Sequence, residues 1–548
     1  MESPTPQTSS PILTLPTELL ARIFLFCVPM SFKKLSSDLG HVCKQWRLTA
    51  LTTPELWASV VFSRPKWTSE MLIRARLAPL ILRADLKQQS SEIVVPIITQ
   101  NISRLRILEL TAARSALTEL LKDLISEAPA LESLSLGTDQ TPVDRFQIPD
   151  SILPQPTRNP LLWHLKLSGC AFAWDSPRYL QLTKLELHNI SKMQRFNLSG
   201  LLGFLLLIPR LLDLVLVNSL PAVTEGSLID LPYLTTLMLE DEMDRVVCVL
   251  RHLSFPDTVL SQFNLHTPST WSREEEFYGL LRKLYPRINQ RNLTFSLTCS
   301  NQTLSFALIK ESGRSIISFS VSGRSIRYWS SWSFAKLVTI FPPVNIKTLI
   351  LGTSTTTVPT TYDKSHKDDL GVQMNNWALL STLAGVETLH ILDHPPVMFL
   401  ECLLERAMNC IGVCVRWSTS HVGPDGQGRQ FLPRLKNLTL SGVNFSRPMA
   451  ANCPTVYEVI ISYLWARKRF GSPLISARLE GSCLNIYRED LARLEYMVDV
   501  TFALRKDGLP TGRLLDFEYN PQAAVISVFT RLQTLLILRN QLPEKEES

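Results

Sequence analysis

Three cysteines and a histidine in the last third of the chain come closest to a constellation able to do chemistry: Cys402, Cys410, Cys414 and His421. Zinc is held by thiolates and imidazoles, and structural sites take cysteines in pairs roughly two to four residues apart. Spacings of 8, 4 and 7 do not make such pairs. Cys410 and Cys414 fit one buried helical face instead, and no metal is expected. Beyond them, Gly423, Gly426 and Gly428 in HVGPDGQGRQ could cradle a phosphate through backbone N–H groups. No Lys-Ser/Thr follows and Pro424 removes a donor, so the segment reads as a surface turn. The nine histidines are scattered without metal or triad spacing. His164 and His188 fall beside strand-like segments and read as surface or lining residues. Nucleophile elbows, HExxH and phosphate-loop patterns are missing from the sequence. Triad members need only meet in space, so spacing alone does not decide the matter. The expectation is a non-catalytic chain with no cofactor.

The densest basic run is ARKRF, with Arg467, Lys468 and Arg469 between Trp465 and Phe470. Such a run could take an acidic or phosphorylated partner through charge-assisted hydrogen bonds; a solvated helix or loop face is the plainer reading. With 56 Lys and Arg against 49 Asp and Glu, the net charge is +7. Nucleic-acid binding would want a longer basic stripe with periodic aromatics, and none is present.

Since no reactive set stands out, the elements carry the argument. Residues 12–62 hold three short helical patterns whose apolar residues lack a sizeable partner within the segment. Leu15, Leu19, Leu20, Ile23, Phe24 and Cys27 form a broad apolar face at helical period. Pro16 opens that helix and Glu18 sits in its first turn, where a carboxylate suits the dipole. Leu39, Val42, Cys43, Trp46 and Ala50 predict a second helix along one stripe. Thr53-Pro54 signals a third start, leading to Leu56 and Trp57. A unit this small buries little surface, so it is expected to pack on something else.

LPTELLARIF, VCKQWR and LTTPELW, in this order and spacing, resemble the F-box. The resemblance maps the family's core onto Leu15, Pro16, Glu18, Leu19, Leu20, Ile23, Phe24, Val42, Cys43, Trp46, Pro54, Leu56 and Trp57. One departure is VPMSFKKLSS (28–37), which lacks the apolar helix that many relatives carry. The layout of short tail, F-box and long leucine-rich region looks like the expanded F-box families of mushroom-forming fungi. The resemblance implies docking on a Skp-type adaptor, through it a cullin and a RING subunit, and capture of a protein substrate by the remainder. It implies a substrate receptor of an SCF-type ubiquitin ligase. A non-ubiquitin interaction scaffold and a small-molecule sensor are the alternatives.

The remainder is organised by repetition. LxxLxL, with aliphatic residues at the key positions, starts at Leu105, Leu131, Leu162, Leu182, Leu211, Leu234, Ile346 and Leu435. Looser copies start at Leu260, Ile316, Val386, Val456 and Leu532. From Leu105 to Leu260 the steps are 26, 31, 20, 29, 23 and 26 residues, which fits leucine-rich repeats. Each repeat turns its leucines inward and must stack on neighbours to bury them. The ninth position, usually Asn or Cys, matches only at Cys170. The expected fold is therefore α+β/repeat: an N-terminal three-helix F-box followed by an irregular leucine-rich-repeat α/β solenoid, a horseshoe with uneven helices. The alternative, an α/β domain with a parallel sheet, would show fewer strands and more even helices.

The domains predicted are a disordered Ser/Thr/Pro tail (1–11), the F-box (12–62), a repeat-built substrate-binding domain (63–540) and a mobile tail (541–548). Hydrophobic and charged fractions of 45% and 19% over 548 residues suit a globular chain. LLGFLLLIPRLLDLVLV (201–217) is broken by Pro209, Arg210 and Asp213 and parses as helix, turn and strand, so no membrane span is expected. Ten scattered cysteines, several on apolar faces, and the lack of a leader pattern point to an intracellular, reducing compartment, cytoplasmic or nuclear. The six N-x-S/T sequons then read as chance.

Overall fold

The computed structural model describes residues 12, 15–27, 39–62, 64–123, 128–138, 161–170, 172, 179–192, 195–266, 273–285, 292–299, 303–322, 337, 340–341, 346–353, 383–393, 432–445, 455–469, 471–480 and 486–502. It comprises two compact units, Met1–Val259 and Leu260–Ser548.

The first unit opens with α1 (Thr17–Cys27), α2 (Lys44–Thr52), a 3-10 turn at Pro54–Trp57, and β1 (Ser59–Val60). Next come α3 (Pro65–Ala75), β2 (Leu80–Asp85), α4 (Ser91–Gln100), β3 (Leu105–Ala112), α5 (Arg114–Asp123), β4 (Ser133–Thr138), β5 (His164–Ser168) and β6 (Lys184–His188). The unit ends with α6 (Leu198–Leu207), β7 (Asp213–Val217), β8 (Ile229–Asp230), β9 (Thr236–Glu242), α7 (Met243–Arg251) and β10 (Leu253–Ser254). Strands β1 to β7 and then β9 pair in sequence order, all parallel; β8 and β10 pair separately.

The LxL of each repeat explains the ladder. In register lie Leu82, Leu108, Leu134, Leu165, Leu185, Leu214 and Leu237, and beside them Ala84, Leu110, Leu136, Leu167, Leu187, Leu216 and Leu239. All are buried. Each leucine so buried contributes roughly 1.5–3 kcal/mol, and a register slip by one residue would turn both rows to water. The opposite face carries Arg83, Glu109, Ser135, Lys166 and Glu186 between them, giving way to Val215 and Met238 in β7 and β9. At the strand ends, Gly169, Asn189 and Asn218 adopt φ of 68°, 52° and 48°. This left-handed turn suits Gly and Asn. It lets each N–H bond the next strand, at His188 O (2.9 Å), Val217 O (2.7 Å) and Glu240 O (2.6 Å). The turn residue is thus the eighth of the repeat, whereas the Asn/Cys expectation addressed the ninth.

The second unit contains β11 (Leu260–His266), α8 (Glu274–Leu284), β12 (Leu293–Cys299), β13 (Thr303–Ile309), β14 (Ser315–Ser322), β15 (Ile346–Thr353), β16 (Thr388–Asp393) and β17 (Asn437–Ser441). It ends with α9 (Val456–Arg469), β18 (Ser476–Glu480), α10 (Arg488–Met497) and β19 (Asp499–Phe502). β15 to β19 repeat the parallel pattern, but β12, β13 and β14 form an antiparallel meander, with β11 beside β14 and β15 beside β12. LTFSLT and TLSFALI alternate with period two, the pattern of a strand with one buried face. A search for LxxLxL passes over both.

All eight LxxLxL copies lead into strands, as do the looser ones at Leu260, Ile316 and Val386. The copy at Val456 is a helix instead. Thr455 and Glu458 form a capping box, with Thr455 N donating to Glu458 Oε2 at 2.7 Å and Glu458 N to Thr455 Oγ at 3.2 Å. The copy at Leu532 lies outside the described residues, as do Cys402, Cys410, Cys414, His421 and the glycines at 423–428. The helix–turn–strand reading of 201–217 corresponds to α6, Ile208–Arg210 and β7. Among the described residues, no helix is long and apolar enough to cross a membrane. The architecture is a helical N-terminus followed by a mixed α/β region rich in parallel strands.

Candidate functional site: the N-terminal helices

The first helix divides its apolar residues between two jobs. Leu20 and Phe24, four apart, are buried, while Leu19, Ile23 and Phe26 are exposed along the neighbouring stripe, Phe26 to 82%. Pro16 and Glu18 are also exposed, and Leu20 N donates to Pro16 O at 3.0 Å, starting the helix. Gln45 Nε2 reaches Leu15 O at 3.3 Å and ties α2 to the start of α1.

The second helix is shorter than its apolar spacing suggested. It begins at Lys44 because Cys43 is extended (φ −156°) and caps it, Sγ accepting from Trp46 N at 3.5 Å. Val42 consequently sits in a turn and is exposed. Thr49 and Ala50 face inward, and Leu48 and Leu51 face solvent. Trp46 is half-buried with its ring 4.9 Å from Phe24. Cys43 and Pro54 are half-buried, and Leu56 and Trp57 are core. The thirteen residues singled out from sequence therefore separate into packing positions and solvent-facing ones. Phe26, Leu48 and Leu51 join the exposed set. Leu19, Ile23 and Phe26 stand at i, i+4 and i+7, a signal legible in the sequence once the buried stripe is fixed by Leu20 and Phe24.

The helices that carry the exposed stripes are tied to α3 and the parallel sheet. Trp57 Nε1 donates to Ala50 O at 2.7 Å, its ring lies 5.8 Å from Trp67 of α3, and Arg74 sits 4.3 Å above it. Glu70 holds Arg74 at 2.7 Å. Thr68 Oγ donates to Val61 O at 2.7 Å, and β1 pairs with β2. The helical module is joined to the parallel ladder through the pairing of β1 with β2. The segment thus presents an exposed apolar stripe on helices anchored to a sheet.

Residues 12–63 match the F-box-like family. The chain therefore carries an F-box-like domain at its N-terminal side. A comparison with curated proteins finds no match to the chain.

Outside the F-box-like domain, two other sets bear on chemistry. In the basic run, Arg467 is buried and donates to Leu432 O (2.9 Å) and Leu435 O (3.0 Å). This corrects both readings of Arg467, the plainer one as a solvated cation and the other as a partner-facing one. Lys468 lies 4.2 Å from the Tyr496 ring, and Arg469 lies 5.2 Å from that of Trp465.

The second set was not anticipated: His164, Lys166, Lys184 and His188 converge on Glu186 at 3.4, 3.0, 2.8 and 3.4 Å. Lys184, Glu186 and His188 alternate along one strand, but sequence separation hid their meeting with His164 and Lys166, which the parallel register of β5 beside β6 brings about. The imidazoles of His164 and His188, then the two lysines, hold the Glu186 carboxyl far below the usual range against the opposing effect of burial. Ser133 Oγ lies 2.9 Å from His164 Nδ1, which completes a serine–histidine–carboxylate row. Ser133 is only 4% exposed within the ladder, and Glu186 is shared with two lysines, so the row serves as a polar brace. Burial pushes the Cys170 thiol up to about 12, making it a poor nucleophile. Among the described residues, no group of three or more His, Cys, Asp or Glu could hold a metal.

Proposed function

We propose that this chain is the substrate-recognition subunit of an SCF-type ubiquitin ligase. F-box domains generally bind Skp-type adaptors. In this reading Leu19, Ile23, Phe26, Val42, Leu48 and Leu51 contact the adaptor, while Leu20, Phe24, Leu56 and Trp57 are the packing that supports them. The supporting observation is the division of one apolar set into buried and exposed stripes. The adaptor links the chain to a cullin and its RING subunit.

The parallel-rich region, read as stacked irregular leucine-rich repeats curving as a solenoid, holds a target protein. The layout fits the fungal F-box families that the sequence resembles. The chain supplies no reacting group; its contribution is proximity, which raises the effective concentration of target lysines at the charged conjugating enzyme. Cys170 and Cys248, buried free thiols, accord with an intracellular, reducing setting.

The test is reconstitution with adaptor, cullin and RING subunit. Cullin-dependent ubiquitin transfer to a captured target is expected. Adaptor binding without such transfer would favour an interaction scaffold.

A further inference from the structure

The geometry points to a second docking surface on α3, just beyond the F-box-like domain, that receives an acidic protein segment bearing aliphatic or aromatic side chains. Ile73 is 71% exposed on the last turn of α3, whose other face is buried through Thr68, Met71 and Ala75, and Leu77 is 91% exposed in the turn just past the helix end. Between them Arg76 adopts φ 47° and ψ −118°, a conformation strained for any residue with a Cβ. Arg104 holds that turn by donating to Arg76 O while also gripping Asn101 Oδ1 at 2.7 and 3.0 Å. The turn therefore fixes Leu77 in water although its side chain gains nothing there.

Charge identifies the occupant. Lys66 stands two turns before Ile73 on the same helical face, and Arg76 is exposed beside Leu77. Neither Lys66, Arg76 nor Arg104 is paired with a carboxylate among the described residues, and the local carboxylate, Glu70, is committed to Arg74 at 2.7 Å. The helix dipole accounts for a cation in the last turn. It does not account for two aliphatic side chains displayed next to unpaired cations. An anionic membrane is the weaker fit, because interfacial helices bury a long apolar face and two residues supply little area. The surface does not depend on the adaptor reading.

The test uses the full chain and a fluorescein-labelled peptide of Glu and Leu, with leucines at i, i+3 and i+4, against the same peptide with Lys for Glu. Fluorescence anisotropy should show the acidic peptide binding about tenfold or more tightly than the basic one, and weakening with salt as exposed charges are screened. Ile73→Ser with Leu77→Ser, and separately Arg76→Glu, should each remove that preference without altering the circular-dichroism melt. Leu19→Asp should leave it intact, which separates this surface from the F-box stripes. Equal binding of both peptides, no binding, binding unaffected by the α3 variants, or capture by phosphatidylserine vesicles in place of the peptide would overturn the proposal.

Discussion

Replacing Trp57 by Ala tests whether the F-box-like domain and the sheet behave as one body. The side chain is buried, donates to Ala50 O at 2.7 Å, and packs against Trp67 and under Arg74. Truncating a buried Trp to Ala costs about 3–5 kcal/mol. Trp57→Phe keeps most of the packing and forfeits the hydrogen bond, about 1 kcal/mol. Because β1 pairs with β2 and Thr68 is bonded to Val61, the damage should spread from residues 44–62 into β2 and β3. Hydrogen exchange followed by mass spectrometry reads this directly. Amides of Leu80–Asp85 and Leu105–Ala112 should exchange about two to four orders of magnitude faster in Trp57→Ala. Exchange that accelerates only within residues 15–62, with β2 and β3 unchanged, would refute the coupling.

Glu186→Gln leaves Lys166 and Lys184 uncompensated and should cost about 1–2 kcal/mol in chemical denaturation, at the low end because both lysines are partly solvated. The folded carboxyl is held below its unfolded value, so its stabilisation is complete above about pH 4.3 and is lost as pH falls beneath that. The gap between wild type and Glu186→Gln should therefore be full at neutral pH and shrink in acid; a constant gap would contradict the assignment. Asn218, at φ 48°, also donates to Asn189 Oδ1 at 3.1 Å. Asn218→Ala should lower the melting temperature by more than Asn218→Gly, the alanine costing about 1–2 kcal/mol for the left-handed turn. Arg195 donates to Ile190 O, Leu220 O, Asn218 O and the buried Asp241. Arg195→Ala should approach the roughly 3–5 kcal/mol lost when a buried pair is broken, and Arg195→Lys should recover only part, as a single ammonium cannot reach four acceptors. Denaturant titration of the two variants beside the wild type checks that order.

The parallel strands were legible because LxxLxL specifies both their spacing and their buried side. The F-box-like helices were legible because three short patterns recur in a fixed order. Period alone could not tell which leucines of α1 face the core, since Leu15, Leu19, Leu20, Ile23 and Phe24 all fit one broad face; only packing in the folded domain, such as that of Phe24 on Trp46, separates them. Nor could it foresee the meander of β12 to β14, whose alternation differs from the repeat. The Glu186 cluster escaped because its members are brought together by register between strands. Arg467 looked like surface charge in a run of cations, yet the carbonyls of Leu432 and Leu435 draw it inward. Local charge density carries no information about such long-range acceptors.

Co-purification with a recombinant Skp-type adaptor tests the central claim most directly, comparing the full chain with Leu19→Asp/Ile23→Asp. Both substituted side chains are exposed, so the variant should fold and melt like the wild type. The account predicts that the wild type retains the adaptor through size exclusion and that the variant does not. Adaptor binding that is absent from the folded wild type, or unchanged in the variant, would contradict it.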